Sequence, residues 1–382
     1  MGSSASADQA PALEERGLAG SDFVAHEDSS VPSMSGPMRL NKKQARKSRR
    51  QGPRSAARAA AWIVRKEAQA LLTAAERCAL EDMPLSGGFI GHRKVRLAAT
   101  EHDADPLQSG LVVHHSEGAA EVVDRAGRLV VYRAWQGVAT EEANDLLTAA
   151  AAYLGQVGVK PTYSVSKRGA FAQYYFTLHK DNQPPRLSKY FCDHAEVAHE
   201  LARRLAPVIL LVSRIFRRVF PELHKYYASA LDFALRNDAS LDALFYPFAS
   251  FALNMGEVIC ARHLDCTNLG PGLCCIIPFG QYDPSSDCRI GLAELGCEVE
   301  VAPGVPLWIP SAAFTHYNTA LVTGGAWRGS AVFWTGGTMF QYHELGGRMV
   351  SELSVTERSE YQAARDSRIA AGIARFPERS PV

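Results

Sequence analysis

The chain has 382 residues, 41 Lys and Arg against 40 Asp and Glu, a formal net charge of +1, 47% hydrophobic and 21% charged residues. That is the composition of a globular chain with enough apolar material for a sizeable core, and the balanced charge gives no whole-chain reason to expect a polyanionic partner. No apolar run is long enough to cross a bilayer and no secretory signal is recognisable. The eight cysteines lack any CxxC spacing, so reduced intracellular thiols are expected and secretion is not.

Residues 1–60 divide by charge. The first forty are mildly acidic and rich in Ser, Ala, Gly and Pro, which reads as a disordered tail. The opening Met1-Gly2-Ser3-Ser4-Ala5-Ser6 fits the permissive N-myristoylation pattern. The charge reverses at Asn41: Lys42-Lys43-Gln44-Ala45-Arg46-Lys47-Ser48-Arg49-Arg50 suits nuclear import or phosphate contacts, and equally a solvated tail. It raises a nuclear expectation, with the cytoplasm as the alternative. Residues 56–80 are Ala-rich and predict a helix. Residues 85–121 show no clear period.

Residues 122–132 predict a β-hairpin around Gly127. A helix is expected over 140–154, with Thr140 as N-cap and acids in its first turn. The stretch 163–187 interleaves Tyr163, Phe171, Tyr174, Tyr175 and Phe176 with Lys167, Arg168, Lys180 and Arg186. Such a strand suits a nucleic-acid backbone with stacked bases, and also an ordinary half-buried sheet edge. Residues 193–220 are helical in pattern, with a break at Pro207. Their arginines, Arg203, Arg204, Arg214, Arg217 and Arg218, read as a solvated face rather than a phosphate-binding ridge. Residues 221–235 continue with helical spacing. Residues 351–374 predict a charged surface helix with a frayed end.

From 245 to 340 the pattern is strand after strand: 248–259, 273–279, 296–301, 306–309 and 329–335, with Gly, Pro and Asn between. Short antiparallel strands that bring distant residues together predict an α+β protein whose core is a double-stranded β-helix, the jelly-roll barrel of cupins. The helices over 140–154 and 194–236 are expected outside one sheet. Within this region His263-Leu264-Asp265 closes a strand-like run. Alternate residues of a strand share a face, so His263 and Asp265 can reach one metal together. His316 follows on another strand. Two histidines and one carboxylate with open positions make the facial triad of non-haem Fe(II) oxygenases.

Such iron sites commonly use 2-oxoglutarate as electron-supplying co-substrate, and its distal carboxylate calls for an arginine fork. Arg328 and Ser330 lie two apart in a predicted strand and face one side. An HxD pair alone is weak, since His26-Glu27-Asp28 and His179-Lys180-Asp181 match it too. The second is even followed by His224 and Arg236, but these fall in a helical segment with no RxS.

The set resembles the ten-eleven-translocation/base-J-binding-protein family of nucleic-acid dioxygenases, in particular its fungal branch. The resemblance is carried by His263-x-Asp265-x-x-Asn268, the distal His316, Arg328-x-Ser330 and Ala331-Val332-Phe333-Trp334. It implies iron on His263, Asp265 and His316, the 2-oxoglutarate carboxylate on Arg328 and Ser330, a base contact at Asn268 and base stacking at Trp334. It implies oxidation of a methylated nucleobase, 5-methylcytosine in DNA first, with release of succinate and CO2. Two departures bear on the base: Gly336 stands where the family's animal members carry a base-contacting histidine, and the segment between the metal ligands is short. The alternatives are the same chemistry on a protein side chain or small molecule, and an inactive nucleic-acid or chromatin-binding relative, which the complete ligand set argues against. The domains expected are a tail over 1–60, a helix and irregular extension over 61–121, the dioxygenase domain over 122–347, and a surface helix and tail over 348–382.

Overall fold

A computed structural model of the chain describes residues 70–83, 85–91, 110–116, 118–163, 169 and 171–379. The described residues all fall within one compact unit. The acidic tail, the basic run, Gly2, the His26-Glu27-Asp28 triplet, Lys167 and Arg168 lie outside the described residues.

Among the described residues fifteen strands follow one another: β1 Leu71–Ala74, β2 Leu85–Ser86, β3 Ile90–Gly91, β4 Leu111–Val113, β5 Ala120–Val123, β6 Leu129–Arg133, β7 Ala172–His179, β8 Arg186–Leu187, β9 Ser250–Met255, β10 Cys274–Gln281, β11 Ile290–Leu292, β12 Cys297–Val299, β13 Leu307–Ile309, β14 His316–Asn318 and β15 Trp327–Trp334. The helices are α1 Val138–Gln156, α2 Lys189–Asp193, α3 Ala195–Arg204, α4 Ala206–Val219, α5 Pro221–Asn237, α6 Gly337–Glu344, α7 Val355–Ala363 and α8 Arg365–Ile373.

The nine-stranded sheet runs β1-β5-β6-β13-β10-β15-β9-β7-β8, and the four-stranded sheet runs β14-β11-β12-β4. Successive segments from β9 to β15 alternate between them. β9 belongs to the large sheet, the His263 segment pairs with β14, β10 returns to the large sheet, β11 and β12 lie in the small one, and β13, β14 and β15 lie in the large, small and large sheets. With β13-β10-β15-β9 antiparallel throughout, this is the double-stranded β-helix expected from the sequence. β10 is buried on both faces except at Gln281, as a central strand should be when helices cover one side and a second sheet the other.

The helices cover the large sheet. Phe216 of α4 stacks on Phe248 with ring centroids 5.2 Å apart. The Tyr227 hydroxyl of α5 donates to the Leu273 carbonyl at 2.8 Å and accepts from the Leu273 amide at 2.9 Å, which ties α5 to the start of β10. Pro207 lies in the first turn of α4, where a missing N–H costs nothing, and α3 ends just before it. In α1, Thr140 is not the N-cap. Gly137 is, and the Thr140 hydroxyl reaches back to it, accepting from its amide at 2.9 Å and donating to its carbonyl at 2.8 Å.

Three further expectations are corrected. Where a helix was expected over 56–80, the described residues 70–80 hold strand β1, paired in parallel with β5, and the start of a one-turn 3-10 helix, Leu80–Asp82. Tertiary pairing overrides the local alanine-driven preference there. The segment before 122 is not a mere extension, because β1 and β5 extend the large sheet and β4 pairs with β12 of the small one. The C-terminal stretch is not frayed as far as it is described. Ile373 and Phe376 are buried, the Leu129 amide donates to the Pro377 carbonyl at 2.8 Å, and the Arg379 amide donates to the Gly127 carbonyl at 2.8 Å.

Candidate metal centre and adjoining cavity

His263 and Asp265 do not sit on one regular strand. β9 ends at Met255, Gly256 turns the chain with φ +107°, and the segment then runs irregularly. His263 is held by a two-bond bridge to His316: each amide donates to the other's carbonyl, at 3.0 and 2.9 Å. The Asp265 amide donates to the Ser311 carbonyl at 2.9 Å. Sheet pairing across the barrel, rather than strand alternation, brings the carboxylate to the imidazoles.

His263 Nε2 lies 3.9 Å from Asp265 Oδ1, and His316 Nε2 lies 3.6 Å from Asp265 Oδ2. One ligand atom from each residue falls within 4.8 Å of the others. His263 Nδ1 is 2.8 Å from the Ala261 carbonyl and His316 Nδ1 is 3.2 Å from the Phe314 carbonyl. A carbonyl only accepts, so each Nδ1 carries the proton and each Nε2 keeps its lone pair for a metal. The donor set and the fixed tautomers fit a divalent iron with open positions. Among the described residues this is the one such cluster. The rival set is not assembled: His179 and exposed Asp181 lie at the end of β7, and His224 is on α5 against Phe216.

The same cavity, about 200 Å³, is lined by His263, Asp265, His316, Asn268, Arg328, Ser330 and Trp334, so the seven residues singled out in the sequence border one space. Arg328 is 1% exposed. Its Nη1 donates to the Val258 carbonyl at 2.8 Å, and the Asn318 side-chain oxygen, with its amide turned toward the guanidinium, accepts from Nη2 at 2.9 Å and Nη1 at 3.1 Å. Arg328 Nε is buried with no partner among the described residues. Tyr282 lies beside the guanidinium, but burial pushes its phenol up despite that cation, so it stays neutral. Burial likewise raises the Cys288 thiol. The groups that hold Arg328 are thus neutral, and no ion pair joins it to a carboxylate among the described residues.

Ser330 Oγ accepts from Asn254 Nδ2 at 2.9 Å. The Asn268 amide donates to the Asp265 carbonyl at 2.8 Å, and Asn268 Nδ2 donates to Ser311 Oγ at 3.1 Å. Trp334 packs edge-on against Tyr175, with centroids 5.8 Å apart, and Tyr175 against exposed Tyr163 at 5.7 Å. Of the two readings the sequence allowed for the 163–187 stretch, the structure shows the half-buried strand. Tyr174 and Phe176 are buried in the sheet, while Tyr175 lines the cavity.

Sequence reasoning missed Asn254, Asn318, Ser311 and Gln173. Asn318 carried a usable signal, since it lies two after His316 and shares its strand face. So did Asn254, a polar residue within an apolar strand.

The molecule is a double-stranded β-helix protein with a two-histidine, one-carboxylate cluster open to an interior cavity. No protein-family model and no curated protein matches its sequence. Solved structures of similar fold include NgTET1 in complex with 5mC DNA, at 14% identity over 59% of this chain and 81% of that one, TM-score 0.36. A 2OG-Fe(II) oxygenase family oxidoreductase from Burkholderia pseudomallei is similar at 13% identity over 59% and 94%, TM-score 0.31. The viral collagen prolyl hydroxylase of Paramecium bursaria Chlorella virus-1, in its 2OG complex, is similar at 12% identity over 52% and 90%, TM-score 0.28. The fold assignment here rests on strand order and pairing.

Proposed function

We propose that the protein is an Fe(II)/2-oxoglutarate-dependent dioxygenase that oxidises a methylated nucleobase, 5-methylcytosine in DNA first. The observation that carries the dioxygenase reading is Arg328. A cation that is 1% exposed and held by neutral groups bears a desolvation cost that no carboxylate among the described residues offsets. An anionic ligand would offset it, and the metal cluster borders the same cavity. A dicarboxylic 2-oxo acid that chelates iron and reaches Arg328 answers both features.

When bound, iron and 2-oxoglutarate would supply the chemistry by which dioxygen oxidises a substrate, one oxygen atom leaving in succinate as the co-substrate loses CO2 and the other entering a substrate C–H bond. The chain's residues do the rest. His263, Asp265 and His316 hold the metal and leave positions open. Arg328 and Ser330 orient the co-substrate tail. Ile276, Ile290 and Val332 give the cavity an apolar wall that limits water around the reacting groups.

The substrate reading rests on two wall residues and on the family resemblance. Asn268 Nδ2 is committed to Ser311, which leaves its Oδ1 to accept from a ligand N–H. Trp334, Tyr175 and Tyr163 form an aromatic row from cavity to surface, suited to a planar ring. A base in duplex DNA must leave the stack to reach such a site. Gly336 lacks a side chain to contact a base, and it favours a second reading, hydroxylation of a protein side chain or small molecule. The basic run over 42–50 supports nuclear or DNA-proximal action.

Purified protein given Fe(II), 2-oxoglutarate and methylated oligonucleotides should yield oxidised nucleosides by mass spectrometry. Succinate formed with protein or small-molecule substrates, and with no methylated oligonucleotide, would move the assignment to the second reading.

A further inference from the structure

We propose that Asn254 is a further co-substrate-binding residue, whose carboxamide donates to the carboxylate that Arg328 holds. The inference rests on the 2-oxoglutarate reading above and deepens it.

Asn254 lies on β9 directly across from Ser330 on β15. Both line the cavity, with Arg328 two residues before Ser330 on the same face. Asn254 is 7% exposed, on a strand whose other buried members include Phe251, Ala252 and Leu253. A primary amide there is expensive unless all its polar atoms are satisfied. They are not: Asn254 Oδ1 is buried with no hydrogen-bond partner among the described residues, while Nδ2 sits 2.9 Å from Ser330 Oγ.

The ligand chemistry says how the orphan is resolved. A carboxylate offers only acceptors. With Nδ2 on Ser330, the amide would present an acceptor to that ligand. Exchanging the amide's oxygen and nitrogen leaves the heavy-atom positions almost unchanged. The Ser330 hydroxyl, itself able to donate, then gives its proton to Asn254 Oδ1 across the same 2.9 Å. Nδ2 becomes a donor for the carboxylate, in the cavity that Arg328 also lines. No polar group in the set is left without a partner once the carboxylate is bound. Ser330 in this arrangement is a positioning residue that fixes the amide's orientation.

The test is a calorimetric titration of 2-oxoglutarate into oxygen-free, Fe(II)-loaded full-length protein, run on the parent, Asn254→Leu, Asn254→Asp and Arg328→Ala. A hydrogen bond to a charged group predicts about tenfold or more weakening in Asn254→Leu. Asn254→Asp, of nearly the same shape, should weaken binding further because it sets a like charge beside the ligand. Fe(II) affinity should stay at the parent value in both. A monocarboxylic 2-oxo acid, 2-oxobutanoate, lacks the distal carboxylate, so it should bind the parent and Asn254→Asp equally; a merely structural role would weaken both ligands together. If Asn254→Leu and Asn254→Asp bind 2-oxoglutarate within about twofold of the parent while Arg328→Ala does not bind it, this inference is overturned and the dioxygenase reading stands. If the parent binds none, the reading of the site fails first. Should Asn254→Leu not fold, Asn254→Asp carries the comparison.

Discussion

Asp265 and Arg328 divide the work of the cavity between metal and co-substrate, and single substitutions separate the two. Asp265→Ala removes the only carboxylate of the cluster. It should abolish Fe(II) binding and succinate formation with the melting temperature kept near the parent's, as dialysis and a thermal melt would show; Asp181→Ala, at the unassembled site, should retain both. Arg328→Ala removes a buried fork. Loss of one such charge pair costs roughly 2–5 kcal/mol, about 30-fold or more in affinity, so the Michaelis constant for 2-oxoglutarate should rise steeply while iron affinity barely moves. Ser330→Ala should act in the same direction and more mildly. Trp334→Ala should leave 2-oxoglutarate affinity near normal and weaken turnover of a methylated oligonucleotide, since stacking is worth on the order of 1–3 kcal/mol per base. Unchanged turnover on every nucleic acid would shift weight to the protein- or metabolite-hydroxylase reading.

At the scale of elements, the short hairpin β2–β3 braces the loop that carries Asp265 and Asn268. Ile90 bridges Leu269, and the Gly270 amide donates to the Phe89 carbonyl at 3.0 Å. Gly91 lies so close that a Cβ there would overlap the Ala312 carbonyl oxygen and press on Cys266, the residue after Asp265. Gly91→Ala should therefore cost about 1–3 kcal/mol of stability by overpacking and also lower Fe(II) affinity. Gly87→Ala, at φ +67° with open space around it, should cost stability without moving iron. Parallel melts and metal titrations on the two variants separate a brace from a bystander, and equal iron affinity in Gly91→Ala would make the hairpin a bystander.

This element also marks where reading the sequence stops. The strands from β9 to β15, β11 excepted, announce themselves by apolar runs between Gly and Pro, and so the barrel was legible; β11, three residues long, gives no such run. The His263, Asp265, His316, Arg328 and Ser330 pattern was legible because residue type and spacing alone define it. Nothing local in residues 71–74 signals pairing, since their partners lie far along the chain at 120–123, and nothing local in the 85–91 hairpin signals that it docks against Leu269. The orphaned atoms on Arg328 and Asn254 exist only once burial is known.

At the scale of the whole molecule, stability should depend on pH through half-buried histidines whose protonation burial disfavours. Burial holds His115, His224 and His343 below the usual 6.5, aided by Arg133, Arg217 and Arg236 respectively. A folded-state value below the unfolded one means the unfolded chain takes up protons first. Their contribution is therefore present above about pH 6.5 and lost as the pH falls through the lower folded values. The melting temperature should hold between about pH 8 and 7 and drop by about pH 5; a flat or rising profile would contradict this. The central claim is that one cavity binds iron and a 2-oxo dicarboxylate together. Equilibrium dialysis of radiolabelled 2-oxoglutarate against oxygen-free protein, with and without Fe(II), tests it most directly. One 2-oxoglutarate per chain should bind with iron present, at least about tenfold more weakly without iron, and with comparable weakening in Arg328→Ala. Iron binding with no 2-oxoglutarate taken up, or uptake indifferent to both iron and Arg328, would contradict it.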